Sequence, residues 1–522
     1  MLVPLGAAIG FFIKLRHDKK MKEWELAQEE AKKPQFLSLT PARKAFKLGQ
    51  LEYAGRSPDY EKAKALFEEA LAEQKGLTLG HDTLETAAIY NALGMVADDM
   101  AKYDEAIDWF KNALVIYDEN RPKESNADLV TINNNLALVY DRQARYADAL
   151  WGYEKALTVF EKVLGKKHPS TAATYNNIAV VYKEQGRYGE ALQWCQRALA
   201  IFEKVLGKKS PSTATTYNNI AMVYLALGRY EESLQLHEKA LAVREKTLGT
   251  QHRDTADSYN NIGMVYLALG KREDALQWHQ KALVIREKIL PIEHSDTASS
   301  YNNIAMVYLA QGKCEKALQW HQKALAIREK VLPTEHPDTA SSYNNIGMVY
   351  LALGKDKHEE ALQWFKKALT IREKVLGAEH PDTASSYNNI GMVYDGEEAL
   401  KWHEKALAIQ ERVLGTQHRE TATTYNSIAA VYYAQGKRKD ALQWYQKALA
   451  VFEKVLGTEH SDTATIYNNI AAVYLAQGKL DAAEDLLQKA LPIFLNAFDE
   501  NHPEVEDVKK GLALIAAARA GQ

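Results

Sequence analysis

Cysteine is nearly absent: the 522 residues contain two, Cys195 and Cys314. A lone pair far apart in sequence argues against a disulfide framework and fits a reducing, cytoplasmic setting. No run of 18 apolar residues occurs, so no ordinary membrane span is expected. Charge of one sign is not in excess either. The chain has 65 Lys and Arg against 68 Asp and Glu, a net charge of −3. A strong field for nucleic acid or anionic lipid is therefore not expected from the chain as a whole. Motifs of catalysis are missing too. There is no Gly-x4-Gly-Lys-Ser/Thr phosphate loop, no Gly-x-Ser-x-Gly elbow and no His-Glu-x-x-His. Carboxylates are spread over solvated faces such as Arg328-Glu329-Lys330. No catalytic residue, metal or cofactor is expected, and the chain reads as a non-enzyme.

What the chain has in plenty is Tyr, with 28, and His, with 15. The Tyr excess comes from a repeat. Tyr-Asn-Asn-Ile begins at Tyr175, Tyr217, Tyr259, Tyr301 and Tyr343, each 42 residues after the last, and related copies begin at Tyr387, Tyr425 and Tyr467. Tyr90 and Asn133 hold the same place upstream. A second anchor runs in step through Ala63, Ala106, Ala149, Ala191, Ser233, Ala275, Ala317, Ala361, Ala399, Ala441 and Ala483. That makes about eleven units, and they leave no room for a separate catalytic domain.

Each copy reads as two helices. Tyr259, Ile262, Gly263 and Tyr266 share one helical face; Leu269-Gly270-Lys271 is the break; Ala275, Trp278, His279, Ala282 and Ile285 form a second stripe. Second helices end at Gly207, Gly249, Gly377, Gly415 and Gly457, or at Pro291 and Pro333. The next helix starts at His-Pro-Asp-Thr, as at His336 to Thr339, where Pro and Asp suit a first turn. Ser210 replaces His in one copy and fits an N-cap. Two copies break register: Lys355-Asp356-Lys357-His358 adds two residues, and the copy after it lacks four before Gly396. Four residues is about one helical turn, so phase can survive.

The pattern Tyr-x2-Ile-Gly/Ala-x2-Tyr, then Ala-x3-His/Phe/Tyr, matches the tetratricopeptide repeat (TPR) signature in its small and large positions. The longer period, the Leu-Gly-x-x-His-Pro-Asp-Thr connector and the Ala-Leu-x-Ile-x-Glu-Lys-Val-Leu tail resemble the TPR arrays of kinesin light chains and nephrocystin-3-like proteins. The implied fold is all-α, a right-handed α-solenoid of about eleven helix-turn-helix units with a C-terminal capping helix. The expected divisions are 1–40, an apolar segment and charged helix; 41–503, the array; and 504–522, the cap.

The Asn pairs need an explanation, because Asn is a poor residue inside a helix. They are Asn134 with Asn135, Asn176 with Asn177, Asn218 with Asn219, Asn260 with Asn261, Asn302 with Asn303, Asn344 with Asn345, Asn388 with Asn389 and Asn468 with Asn469. They lie between core Tyr and core Ile, so at least one of each pair leaves the core. The resemblance implies that they hydrogen-bond the backbone of an extended peptide in a concave groove, since an amide both donates and accepts. The other reading is that one Asn of each pair ties neighbouring repeats together. The rest of the expected groove is Met222, Met264, Met306, Met348 and Met392, with Leu225, Leu267, Leu309 and Leu351 a turn on. The Lys and Arg of a carboxylate clamp are not at these places.

His168, His252, His294, His336, His380, His418, His460 and His502 share the connector. One per unit cannot converge on a metal, whose ligands lie about 2.1 Å from one centre. His237, His279, His321 and His403 take the large place of the second helix and should be packed. Reading RNA one base per unit is disfavoured by the lack of groove cations, so no nucleic acid partner is expected. Residues 1–13 are apolar and precede Lys14, Arg16, Lys19 and Lys20. They are too short to span a bilayer and suggest weak membrane association or targeting. The expected function is a protein-interaction scaffold. The alternatives are a kinesin-light-chain-like cargo adaptor for microtubule transport and the sensor part of a longer protein.

Overall fold

The computed structural model describes residues 40–520 apart from 55–58, 79–82, 121–126, 292, 499 and 501. The expected N-terminal segment, but for residue 40, lies outside the described residues. Among these there are 23 α-helices and no strand. They form eleven antiparallel pairs, from Pro41–Ala54 with Tyr60–Leu77 through Ser461–Ala476 with Leu480–Ala497. A single helix, Pro503–Ala520, packs on the last pair. The fold is the expected α-solenoid.

The repeat sequence explains each boundary. At the start of first helices the connector His is the N-cap, and its side chain does the capping. Nδ1 of His168, His252, His294, His336, His380, His418 and His460 accepts from the backbone N–H two residues on, at 3.0–3.2 Å. This satisfies one of the orphan donors of the first turn. Ser210 stands at the N-cap as expected, but its hydroxyl makes no cap bond. At the far end, Gly249 has φ +90°, a left-handed conformation that ends the Tyr230–Leu248 helix without strain.

Within a unit, small residues let two helices approach and one large ring fills the gap. Ala275 and Ala282 are fully buried, as are Ile262 and Val265 opposite. A Cβ on Gly263 would lie 2.8 Å from the His279 ring, and one on Gly347 2.6 Å from Phe365. Burial of one such Ile is worth about 2 kcal/mol over leaving it exposed.

The two register breaks are absorbed locally. Lys355–Lys357 forms a 3-10 turn after Gly354. The deletion shortens the first helix to Pro381–Gly391, 11 residues, where Arg253–Ala268 has 16.

Three pairs of neighbouring first helices, Leu84–Asp99 with Ala127–Arg142, Pro169–Glu184 with Pro211–Ala226 and Arg253–Ala268 with Ser295–Ala310, touch more closely than any neighbouring second helices do. The solenoid therefore curves with its first helices inside. It curves far enough to meet itself. Nε2 of His380 is 3.0 Å from the carbonyl of Arg142, 238 residues earlier. The ring of His460 lies against Tyr230, centroids 6.1 Å apart. His418 abuts Gly186, and Phe498 abuts Gly270. Val375, Leu376, Val413 and Leu414 pack on the core of residues 45–181, and Val455 packs on Tyr188. Connectors of later repeats thus sit on the helix-helix turns of repeats five units earlier, forming a seam between successive coils.

Candidate functional site

On the inner helices a half-buried stripe runs at helical spacing through Arg253, Asp257, Asn261 and Met264. Ser299, Asn303 and Met306 continue it in the next repeat, and Ser341, Asn345 and Met348 in the one after. The second Asn lies on this stripe at Asn261, Asn303 and Asn345. The first Asn of four pairs, Asn218, Asn260, Asn302 and Asn388, meets the second helix of its own repeat instead.

There the first Asn has a partner. Nδ1 of His237 is 2.7 Å from Asn218 Oδ1, His321 is 2.8 Å from Asn302 and His403 is 2.7 Å from Asn388. Asn260 lies 3.0 Å from His279; with its amide oriented to satisfy both neighbours, Nδ2 donates to that ring and the oxygen accepts from Arg286. The four His rings are buried, as expected. Burial, helped by the neighbouring Arg of the same helix, pushes His237, His279 and His321 down to about 3. They are neutral packing groups.

Second Asn residues also link repeats. Asn261 donates to Asn218 at 2.9 Å, Asn389 to Asn344 at 2.7 Å, Asn469 to Asn426 at 2.9 Å and Asn135 to Asn91 at 3.0 Å. Asn176 differs and donates to Thr216 in the following repeat, at 2.9 Å. Accessibility varies along the array. Asn176, Asn177, Asn219, Asn260, Asn302, Asn344, Asn388 and Asn389 are buried. Asn134, Asn218, Asn261, Asn303, Asn345, Asn468 and Asn469 are half-buried. Of the hydrophobic lining, Met264, Met306 and Met348 are half-buried, Met392 is exposed, and Leu225 has gone into the core.

One set of polar residues is not evident from the repeat alone. Arg244, Arg286, Arg328 and Arg372 are buried beneath the Asn layer. Each donates to a Ser hydroxyl of the next repeat, Ser258, Ser300, Ser342 and Ser386, at 2.7–2.8 Å. The same guanidinium reaches the carbonyl of Asp254, Asp296, Asp338 or Asp382. Arg286 also pairs with Asp257 at 2.6 Å. The signal was a covariation: where the helix carries Phe160, Phe202 or Gln410, the Ser position carries Thr174, Thr216 or Thr424. Among the described residues no His, Cys, Asp and Glu converge as a metal site would require.

The tetratricopeptide repeat family model matches residues 53–119, 128–204, 171–245, 212–288, 296–358, 395–454, 426–496 and 462–522, and a second tetratricopeptide model matches 339–382. The chain belongs to the tetratricopeptide repeat family. This TPR protein is similar to several solved structures. BtubC (BKLC) from P. vanneervenii is 25% identical, with 45% of this chain and 91% of that chain covered and a TM-score of 0.35. A putative kinesin light chain from Podosopora anserina with nearly identical TPR-like repeats is 27% identical, covering 40% of this chain and 97% of that one, TM-score 0.34. A Rap protein complexed with Competence and Sporulation Factor is 14% identical, with coverage of 71% and 99% and a TM-score of 0.50, a likeness of fold. No curated protein matches the sequence.

Proposed function

We propose that this TPR array is a non-catalytic scaffold whose inner face binds an extended segment of another protein. One observation supports the reading: in the central repeats the Asn pair divides its labour. Asn260 and Asn302 are held by buried His279 and His321, and Asn261 and Asn303 sit on the half-buried stripe beside Met. Asn303 and Asn345 are half-buried there, and among the described residues their side-chain amides make no hydrogen bond. Their amides can meet the N–H and C=O of a peptide backbone, with side chains resting on Met306 and Met348. A face of amides and thioethers reads main chain more than sequence, so it suits varied partners. Cytoplasmic placement follows the cysteine usage and belongs to this reading.

The test uses a displayed library of randomised peptides selected on the intact protein. Asn303→Ala and Asn345→Ala together are expected to weaken the selected peptides strongly while leaving melting nearly unchanged. Equal affinity in a normally folded double variant sinks the reading. The resemblance to kinesin light chains supports a second reading, a cargo adaptor; direct binding of a motor heavy chain to the purified array would favour it.

A further inference from the structure

The seam leaves one edge of the coil bare, and the sequence of that edge is unlike the rest. Connectors that follow the eighth, ninth and tenth repeats rest on earlier turns: His380, His418 and His460 are buried there, and Val375, Leu376, Val413, Leu414 and Val455 are covered. Among the described residues no earlier turn lies beneath the connectors after the third and fourth repeats. Their equivalent side chains stand in solvent. Val163 is 52% exposed, Leu164 42%, Val205 49% and Leu206 43%.

Charge sets these two loops apart. They read Gly165-Lys166-Lys167 and Gly207-Lys208-Lys209, whereas the connector after the fifth repeat, also clear of the seam, reads Gly249-Thr250-Gln251. The covered ones read Gly377-Ala378-Glu379, Gly415-Thr416-Gln417 and Gly457-Thr458-Glu459. Lys162 and Lys204 add to the bare edge, and all six lysines are exposed. The two nearby carboxylates are engaged: Glu161 accepts from Tyr175 and lies 3.7 Å from Lys166, and Glu203 accepts from Tyr217. Two neighbouring loops thus present apolar pairs flanked by lysine, on a protein with net charge −3.

We propose that this edge docks on an anionic lipid bilayer. The Val-Leu pairs enter the headgroup boundary, and the lysines meet lipid phosphates beside them. Three features favour a bilayer over an acidic protein. The apolar groups sit on helix ends, they form a row rather than a socket, and the lysines border them on both sides. A bilayer needs no matching pocket, whereas a protein partner gains its affinity from one. A second copy of this chain is disfavoured, since two of the last three turns it would offer, Lys437-Arg438-Lys439 and Lys479, are themselves basic, the third being Asp395-Gly396-Glu397. The inference is independent of peptide binding on the inner face.

Co-sedimentation of the full chain with vesicles tests it. Binding is expected with phosphatidylserine-containing vesicles and not with pure phosphatidylcholine. Reversing charge at Lys166, Lys167, Lys208 and Lys209 to Glu should lower the partition coefficient by about tenfold or more. Leu164→Ser with Leu206→Ser should lower it as well, and neither variant should change the melting curve. A third variant, Phe11→Ser with Phe12→Ser, separates any contribution of the apolar N-terminus. The proposal is overturned if wild type ignores anionic vesicles, or if only the Phe variant loses binding. Polyglutamate binding as tight as vesicle binding, and indifferent to the Leu changes, would overturn it in favour of an acidic protein.

Discussion

His380 joins two functions in one ring: Nδ1 accepts from the N–H of Asp382 at 3.0 Å, and Nε2 donates to the carbonyl of Arg142 at 3.0 Å. Accepting at Nδ1 fixes the proton on Nε2, so a neutral imidazole both caps a helix and closes the coil. The Nδ1 cap recurs at His418 and His460, and burial holds both rings down to about 4.

Replacing His380, His418 and His460 together by Ala should therefore open the seam. Each change removes a cap worth about 1 kcal/mol and the packing of a ring on an earlier turn. Small-angle scattering should show a longer maximum dimension, with circular dichroism nearly unchanged. A wild-type scattering profile would refute the seam's dependence on these rings.

Acid should destabilise the array. Buried neutral His237, His279, His321 and His403 have pKa values pushed down to about 3–4, and burial lowers those of the seam rings His380, His418 and His460 too. The unfolded chain takes up protons near the ordinary value of about 6.5 that the folded chain refuses. The stability these groups contribute is complete above that pH and is lost as pH falls toward 4 and below. Asp141 and Glu420, which burial pushes up to about 7, work the other way and lose their contribution as pH rises to 7. The histidines outnumber them, so Tm should fall between about pH 7 and pH 5. A rise in Tm over that interval would contradict the balance.

The two Asn of a pair should separate in local stability. Asn302→Ala leaves His321 without its partner and should cost about 1–2 kcal/mol. Asn303→Ala, on the half-buried stripe, should cost under about 0.5 kcal/mol. Repeat arrays unfold locally, so hydrogen exchange of the amides around residues 295–331 is the suitable measurement. Equal losses would remove the distinction.

Arg328→Ala should cost about 3 kcal/mol or more, because it empties a buried site and strips Ser342 of its donor. Arg328→Phe combined with Ser342→Thr should recover much of that, since Phe202 and Thr216 already occupy the same pair of places. Thermal melting of the two variants decides it; no recovery would mean that the Arg layer is required where it occurs.

The eleven helix pairs were legible because each depends on neighbours within a few dozen residues: Ala275 and Ala282 face Ile262 inside one repeat period. The deletion before Gly396 was legible for the same reason, and the His403–Asn388 contact at 2.7 Å shows that phase survives the loss of one turn. The inner position of the second Asn was half legible, since the pattern forced one of each pair out of the core without saying which. The seam was hidden. Its partners, such as Tyr230 and His460, are 230 residues apart and meet only through the summed small rotations of five repeats. A trace of it stood in the sequence all the same. The second helix opens with Tyr at Tyr60, Tyr103, Tyr146, Tyr188 and Tyr230, and then with Arg272, Cys314, His358, Gly396, Arg438 and Leu480. Tyr103, Tyr146 and Tyr188 are buried.

Self-contact of the coil gives the array a fixed arithmetic. An open solenoid can gain or lose a unit anywhere and remain the same kind of object. Here a unit inserted between residues 250 and 330 would set the later connectors against the wrong turns: His336 would face the place of Arg142, His418 that of Tyr230, and the Tyr positions would meet partners they do not match. Unequal recombination, the process that lengthens such genes most readily, is thereby penalised in the middle of the chain and tolerated at its ends.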